Sequence, residues 1–328
     1  MRLLNRHEVE RALPIAACIE ALAPAMIATS AGEADLPLRT HLPIRGTAGK
    51  LVVMPGALTP AKVFGLKIVS KFPRPAGDPH GSHVGMVVVF DADTGLPLAM
   101  LEGGTLTEIR TAAASALATR ELSRPDASVL AVLGTGAQAK WHALAMPAVR
   151  AIREIRIWGR SLPRAEALAA QLRRTGGPEV IPMADAETTV RGADIVCTTT
   201  SSPTPILQGA WLSPGMHLNL VGSAIPTTAE VDTECVRRAR FYVDSRRSAA
   251  AEAGELRAAI EAGVVTAEHV VGEIGEVLAG RAPGRTISSE ITVYKSLGVA
   301  SQDLAAGLLA YRNAAADGLG TDVDLMEP

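Results

Sequence analysis

The amino-acid sequence predicts an α/β protein built from a smaller α+β domain and a doubly wound, Rossmann-type parallel sheet. Three observations carry this. Residues 36–101 fall into short β-branched runs punctuated by glycine and proline. From Ser128 onward, apolar strand runs alternate with helical ones, the pattern of a parallel sheet covered by helices. The first of those strands ends in a glycine-rich turn, Gly134-Thr135-Gly136, before a helix.

Taken in order, the apolar stretch from about Ile15 to Thr29 reads as a helix. Leu51–Met54, Val63–Val69 and Val84–Phe90 read as antiparallel strands, and Asp91-Ala92-Asp93-Thr94-Gly95 fits a hairpin turn. An Ala-rich helix follows. Then come VLAVLG, a helix from about Gly136, IRIW, RAEALAAQLRR, DIVCTTT, HLNLVG and RFYVDS. The closing segment, ITVYKSLGVASQDLAAGLLAYRNAAA, reads as a strand and a long helix beyond the point where the alternating fold is complete, and is expected to return to the first domain.

With 328 residues the chain has room for about two domains. Lys and Arg number 32 against 34 Asp and Glu, a formal net charge of −2, so no global cationic field exists to hold nucleic acid or an anionic membrane. A small molecule or a protein is the expected partner. Cys18, Cys197 and Cys235 stand far apart, with neither metal-ligand spacing nor the dense pattern of a disulfide scaffold. Charges within the first ten residues and the lack of a long uncharged apolar run give a soluble, cytoplasmic expectation.

The turn Gly134, Thr135, Gly136, Ala137, Gln138 and Ala139 spells GxGxxA. The string alone is weak, but between a buried strand and a helix it lets backbone approach a pyrophosphate at the helix N-terminus, where free N–H groups favour anions. An NAD site usually shows Asp or Glu about 20 residues further on; an NADP site shows Arg. Here Arg160, Ser161 and Arg164 follow the IRIW strand, and no carboxylate lies between Glu154 and Glu166. NADP(H) is therefore the expected cofactor, with NAD(H) possible.

Thr105-Leu106-Thr107-Glu108 has the spacing of a capping box, which places Arg110 in the first turn of the Ala-rich helix. A cation there opposes the helix dipole, a cost that points to an anionic ligand held by its guanidinium fork.

The strings LPLRTH, VVMPG, GLKIVSKFP, DADTGLPLAMLEGG, TEIRTAAASALA, GTGAQA, TTTSSPTPIL, PGMHLNLVGS and YKSLGVASQDLAA together resemble the ornithine cyclodeaminase/mu-crystallin family, in the family's order from about residue 36 to 310. The resemblance implies a substrate-binding and dimerisation domain from residues 1–120 with 303–328, a Rossmann NAD(P)-binding domain over 121–302, and a homodimer. It maps the family's carboxylate-binding residues onto Arg39, Lys67 and Arg110. Three cations from separate elements suit one α-carboxylate, and a lysine can also donate a proton.

The family's cyclodeaminases carry an Asp after the HLNLVG-type strand, which handles the substrate's side-chain amine. Here Ala224 stands there, within Gly222-Ser223-Ala224-Ile225-Pro226, and neither Glu230 nor Asp232 is expected to replace it. The resemblance therefore implies an NAD(P)H-dependent ketimine reductase that turns an α-imino acid, such as Δ1-pyrroline-2-carboxylate or Δ1-piperideine-2-carboxylate, into an L-amino acid. The alternatives are an ornithine cyclodeaminase or alanine dehydrogenase-like deaminating enzyme, and a non-catalytic NADP(H)- or small-ligand-binding protein.

Further cofactor candidates are Thr198, Thr199 and Thr200 at a strand end, Val221 and Gly222 at the next, and Lys295, with Ser296, in the KSLG string. Ser223 and His83 are candidate substrate contacts. His80 and His83 lack a third ligand, so no metal is expected, and His217 reads as a core histidine.

Overall fold

The computed structural model describes residues 1–73 and 83–324. The chain divides into two compact units, Met1–Arg110 with Val299–Pro328, and Thr111–Gly298.

The first unit opens with β1 (Arg2–Leu4), α1 (Arg6–Ala12) and α2 (Ile15–Ala31), followed by β2 (Ala34–Asp35), β3 (Thr40–Pro43), β4 (Lys50–Leu58), β5 (Val63–Lys71), β6 (His83–Asp91) and β7 (Pro97–Glu102). β4 to β7 form an antiparallel meander. The hairpin between β6 and β7 closes as its sequence requires: the Asp91 carboxylate accepts from the backbone N–H of Asp93 and Thr94, and Gly95 takes a positive φ of 73°. Side chains alternate along β5, so Val63, Lys67 and Val69 share one buried face. Register sets Lys67 opposite Met54 on β4 and Val87 on β6.

Helix α3 (Gly103–Leu122) leads out of this unit. It starts earlier than the capping-box spacing indicated. The Glu102 carboxylate, at the end of β7, accepts from the N–H groups of Gly104 and Thr105 at 2.7 and 2.8 Å. A strand-end acid thus does the capping, and Arg110 lies two turns into the helix.

The second unit contains β8 (Val129–Leu133), α4 (Ala137–Ala145), β9 (Glu154–Trp158), α5 (Leu162–Arg173), β10 (Glu179–Met183), α6 (Ala186–Val190), β11 (Ile195–Thr198) and β12 (His217–Leu220). It continues through α7 (Thr233–Arg238), β13 (Ala239–Val243), α8 (Arg246–Glu252), α9 (Gly254–Glu261), β14 (Val270–Glu273), α10 (Ile274–Leu278) and β15 (Ile291–Lys295). All eight strands are parallel, in the order β10-β9-β8-β11-β12-β15-β13-β14. The order reverses between β8 and β11, the switch point at which open α/β sheets bind ligands.

The expectation for the closing segment needs a correction. The strand ITVYK is β15, inserted between β12 and β13, and only the helix after it belongs to the first unit. That helix, α11 (Ala300–Asp317), packs on β4 to β6, and β16 (Thr321–Asp322) pairs with β1. Gly307 makes the close approach possible, since a Cβ there would lie 2.9 Å from Val89 Cγ2. Among the described residues no single helix is long and apolar enough to cross a membrane.

Candidate active site

In the first unit a buried charge cluster forms over β5. Lys67, 3% exposed, donates from Nζ to Asp303 Oδ1 at 2.9 Å, and Arg110, 4% exposed, donates from Nε to the same oxygen at 2.8 Å. Arg110 Nη1 donates to Gln302 Oε1 at 2.8 Å. Strand alternation aims Lys67 at the face α11 covers, and the first turn of α11 brings Gln302 and Asp303 there. Burial, then the neighbouring Arg110 charge, pushes Lys67 down to about 7, with Asp303 pulling the other way. Arg39, half-buried just ahead of β3, also depresses Lys67 through its charge. The structure thus brings Lys67 and Arg110 onto one carboxylate, with Arg39 in electrostatic reach.

The dipole reasoning for Arg110 does not hold, because Arg110 is not in the first turn of α3. Its guanidinium is instead fixed by α11, a partnership the chain's numbering hides. Gln302 and Asp303 are the residues sequence reading missed. Their signal in the sequence was an amide and an acid side by side at the start of an Ala/Leu-rich helix.

In the second unit the glycine turn lies at the end of β8. Gly134 has φ 141°, and a Cβ on it would lie 2.3 Å from Thr199 Oγ1. Gly136 is the N-cap of α4 and provides no side-chain cap, and a Cβ there would meet nothing within 4 Å. The turn therefore leaves backbone N–H groups and clear space before a helix N-terminus, which fits a pyrophosphate. Gln138 Oε1 is buried there with no hydrogen-bond partner among the described residues. Thr135 packs close to Gly159, joining this turn to the loop after β9. That loop carries exposed Arg160, Ser161 N-caps α5 without using its hydroxyl, and exposed Arg164 lies in the first turn of α5. Glu154, the nearest preceding acid, is bound to Arg156 at 2.5 Å.

The strand-end threonines are committed to the frame. Glu230, fully buried, accepts from Thr198 Oγ1, from Thr200 N and Oγ1, and from Gly222 N at 2.6–2.8 Å, tying the end of β11 to that of β12. Thr199 donates from Oγ1 to the Leu133 carbonyl at 3.1 Å, and Val221 donates from its backbone to Thr198 O at 3.0 Å. Ser223 Oγ lies within 2.6–2.7 Å of Thr228, and Ala224 packs against the apolar core. Asp232 caps α7 by accepting from Cys235 N at 2.8 Å. Lys295, wholly buried, donates to Ser223 O at 2.5 Å and to Glu255 Oε1 at 3.2 Å. Its ammonium joins the strand-end network.

At the β11–β12 strand ends Glu230 is taken up by the frame and Asp232 by the α7 cap, and a family model named ornithine cyclodeaminase/mu-crystallin family matches residues 1–318. The chain belongs to this family. Over 325 residues it is 33% identical to the Δ1-pyrroline-2-carboxylate reductase of Bacillus cereus (strain ZK / E33L), covering 99% of this chain and 100% of that one. Among solved structures it is similar to the Thermococcus litoralis Δ1-pyrroline-2-carboxylate reductase in complex with NADH and L-proline, with a TM-score of 0.94, 31% identity, and 98% and 100% of the two chains covered. It is also similar to an archaeal alanine dehydrogenase dimer with bound NAD, with a TM-score of 0.91, 29% identity and 99% of each chain covered.

His80 lies outside the described residues, as does the side chain of His83. His217 is buried against Thr292 Oγ1 at 3.0 Å, and burial pushes it down to about 3, which makes it a neutral core histidine. Among the described residues no group of three His, Cys, Asp or Glu side chains could hold a metal ion.

Proposed function

We propose that this family member is an NADPH-dependent reductase of α-imino acids, with Δ1-pyrroline-2-carboxylate or Δ1-piperideine-2-carboxylate as substrate and an L-amino acid as product. The observation that carries the reading is the buried pair of Lys67 and Arg110 sharing a single acid, Asp303. Two cations against one carboxylate leave an excess positive charge, and buried charge calls for a partner. An α-imino acid supplies that partner in its carboxylate. The relatives named above support the reaction class.

What the cofactor supplies when bound is a hydride for the C=N carbon. Gly134, Thr135, Gly136, Ala137 and Gln138 would hold its pyrophosphate, and Arg160, Ser161 and Arg164 a ribose 2′-phosphate. This favours NADPH over NADH. Lys67, Arg110 and Arg39 grip the substrate carboxylate, and the charged Lys67 ammonium keeps the imine nitrogen protonated and electrophilic. Val221, Gly222, Thr198, Thr199 and Thr200 shape the strand-end floor, with Ser223 and Lys295 bracing it. Ala224 leaves nothing to bind a side-chain amine, which disfavours cyclisation with loss of ammonia.

The assembly we propose is a homodimer. The sheet face of the first unit away from α11 carries exposed Phe64, Val84 and Met86, and Phe64 stacks on Phe90 with ring centres 5.1 Å apart. Because α11 is buried on the opposite face, the sheet surface and not the helix supplies the contact.

The test follows NADPH consumption with Δ1-pyrroline-2-carboxylate, Δ1-piperideine-2-carboxylate, and pyruvate plus ammonia or methylamine, alongside ornithine with NAD+. Reduction of a cyclic imine is expected. Ammonia release from ornithine would overturn the reading of Ala224, and NADPH binding without any turnover would favour a binding protein.

A further inference from the structure

Building on the reductase reading, we infer that Asp303 is the positioning residue of this site: through one carboxylate oxygen it holds the Lys67 ammonium and the Arg110 guanidinium side by side so that both meet one substrate carboxylate. Asp303 comes from α11, 236 residues from Lys67 and 193 from Arg110 in sequence. Here both donors converge on Oδ1, and Oδ2 is buried with no hydrogen-bond partner among the described residues. One atom thus sets the spacing of the two cations.

Three features hold Asp303 to this task. It lies in the first turn of the 18-residue α11, where the helix dipole favours an anion. Burial opposes its charge, yet Arg110 and Lys67 outweigh that and keep it below the usual carboxylate range. Its neighbour Gln302 fixes the other arm of Arg110. The charged groups acting on Lys67 are Arg110 from α3, Asp303 from α11 and Arg39 ahead of β3, and its neighbours across the strands are the neutral Met54 and Val87. The acid is therefore what stops two buried cations from expelling each other's charge.

The experiment measures kcat/KM for Δ1-pyrroline-2-carboxylate with NADPH from acid to alkaline pH in the wild type, Asp303→Asn and Asp303→Glu, with Tm in parallel. Lys67 must be protonated to act, so the wild-type rate falls as pH rises through the Lys67 titration. Removing the acid lowers that titration, and in Asp303→Asn the alkaline limb moves down by about one unit or more, a tenfold loss at alkaline pH that shrinks at acid pH. Asp303→Glu restores the limb while raising KM for the imino acid about tenfold and leaving KM for NADPH unchanged. Should Asp303→Asn not fold, that split in Asp303→Glu carries the test, and equal KM values would overturn the inference. An Asp303→Asn profile that superimposes on the wild type, however slow, would overturn it while sparing the reductase reading. A wild type that reduces no imine would overturn both.

Discussion

Lys67 in the first unit and Lys295 in the second are both strand lysines almost without exposure, at 3% and 0%, yet their surroundings are opposite in sign. Around Lys67, among the described residues, the charges of Arg110 and Arg39 act against its proton and Asp303 acts for it. Around Lys295 the acids prevail: Glu255 binds it directly, and Glu230, which feels its charge, binds four donors from the ends of β11 and β12. The second cluster joins strand ends, with Glu230 gathering donors from both. The first is left with two cations on one acid and a depressed lysine. A buried lysine alone therefore does not mark a site; the charge balance around it does.

Replacing each lysine sharpens the contrast. Lys67→Met removes both a grip on the carboxylate and the proton source, and kcat/KM is expected to fall on the order of 10⁴-fold. Arg110 still pairs with Asp303, so the variant should melt near the wild type and bind NADPH with unchanged Kd by fluorescence titration. Lys295→Met acts the other way. It strands buried Glu255 and costs about 3–5 kcal/mol in denaturant unfolding, whereas the enzyme that remains folded keeps the wild-type pH profile. If Lys295→Met moved the alkaline limb instead, the division between site and frame would be wrong.

Much of this was legible from the chain. The glycine turn could be read because a strand, GxGxxA and a helix follow one another locally, and the Asp91 hairpin because its side-chain bonds span three residues. Lys67 and Arg110 stood out by motif. Their partner did not, because it lies about 200 residues away and its meaning depends on how α11 meets the sheet. The start of α3 was misplaced because its cap comes from a strand-end glutamate, outside the local capping pattern. The place of β15 was misjudged because strand order in a parallel sheet is settled by packing, and no local signal reports it.

Smaller effects test the second unit in detail. Arg160→Ala is expected to raise KM for NADPH about tenfold, near 1.4 kcal/mol, and to leave KM for NADH alone. Ser223→Ala removes a hydroxyl that serves the loop closed on Thr228 and should cost about 1 kcal/mol of stability, with kcat/KM changed less than about twofold. A large loss of turnover in Ser223→Ala would move Ser223 from the frame to the substrate.

The most direct measurement compares kcat/KM at saturating NADPH for Δ1-pyrroline-2-carboxylate and for 1-pyrroline, the same ring without its acid. A site organised around surplus buried positive charge is predicted to favour the acid by on the order of 10³-fold, with the preference lost in Lys67→Met. Equal reduction of both rings by the wild type would contradict the account.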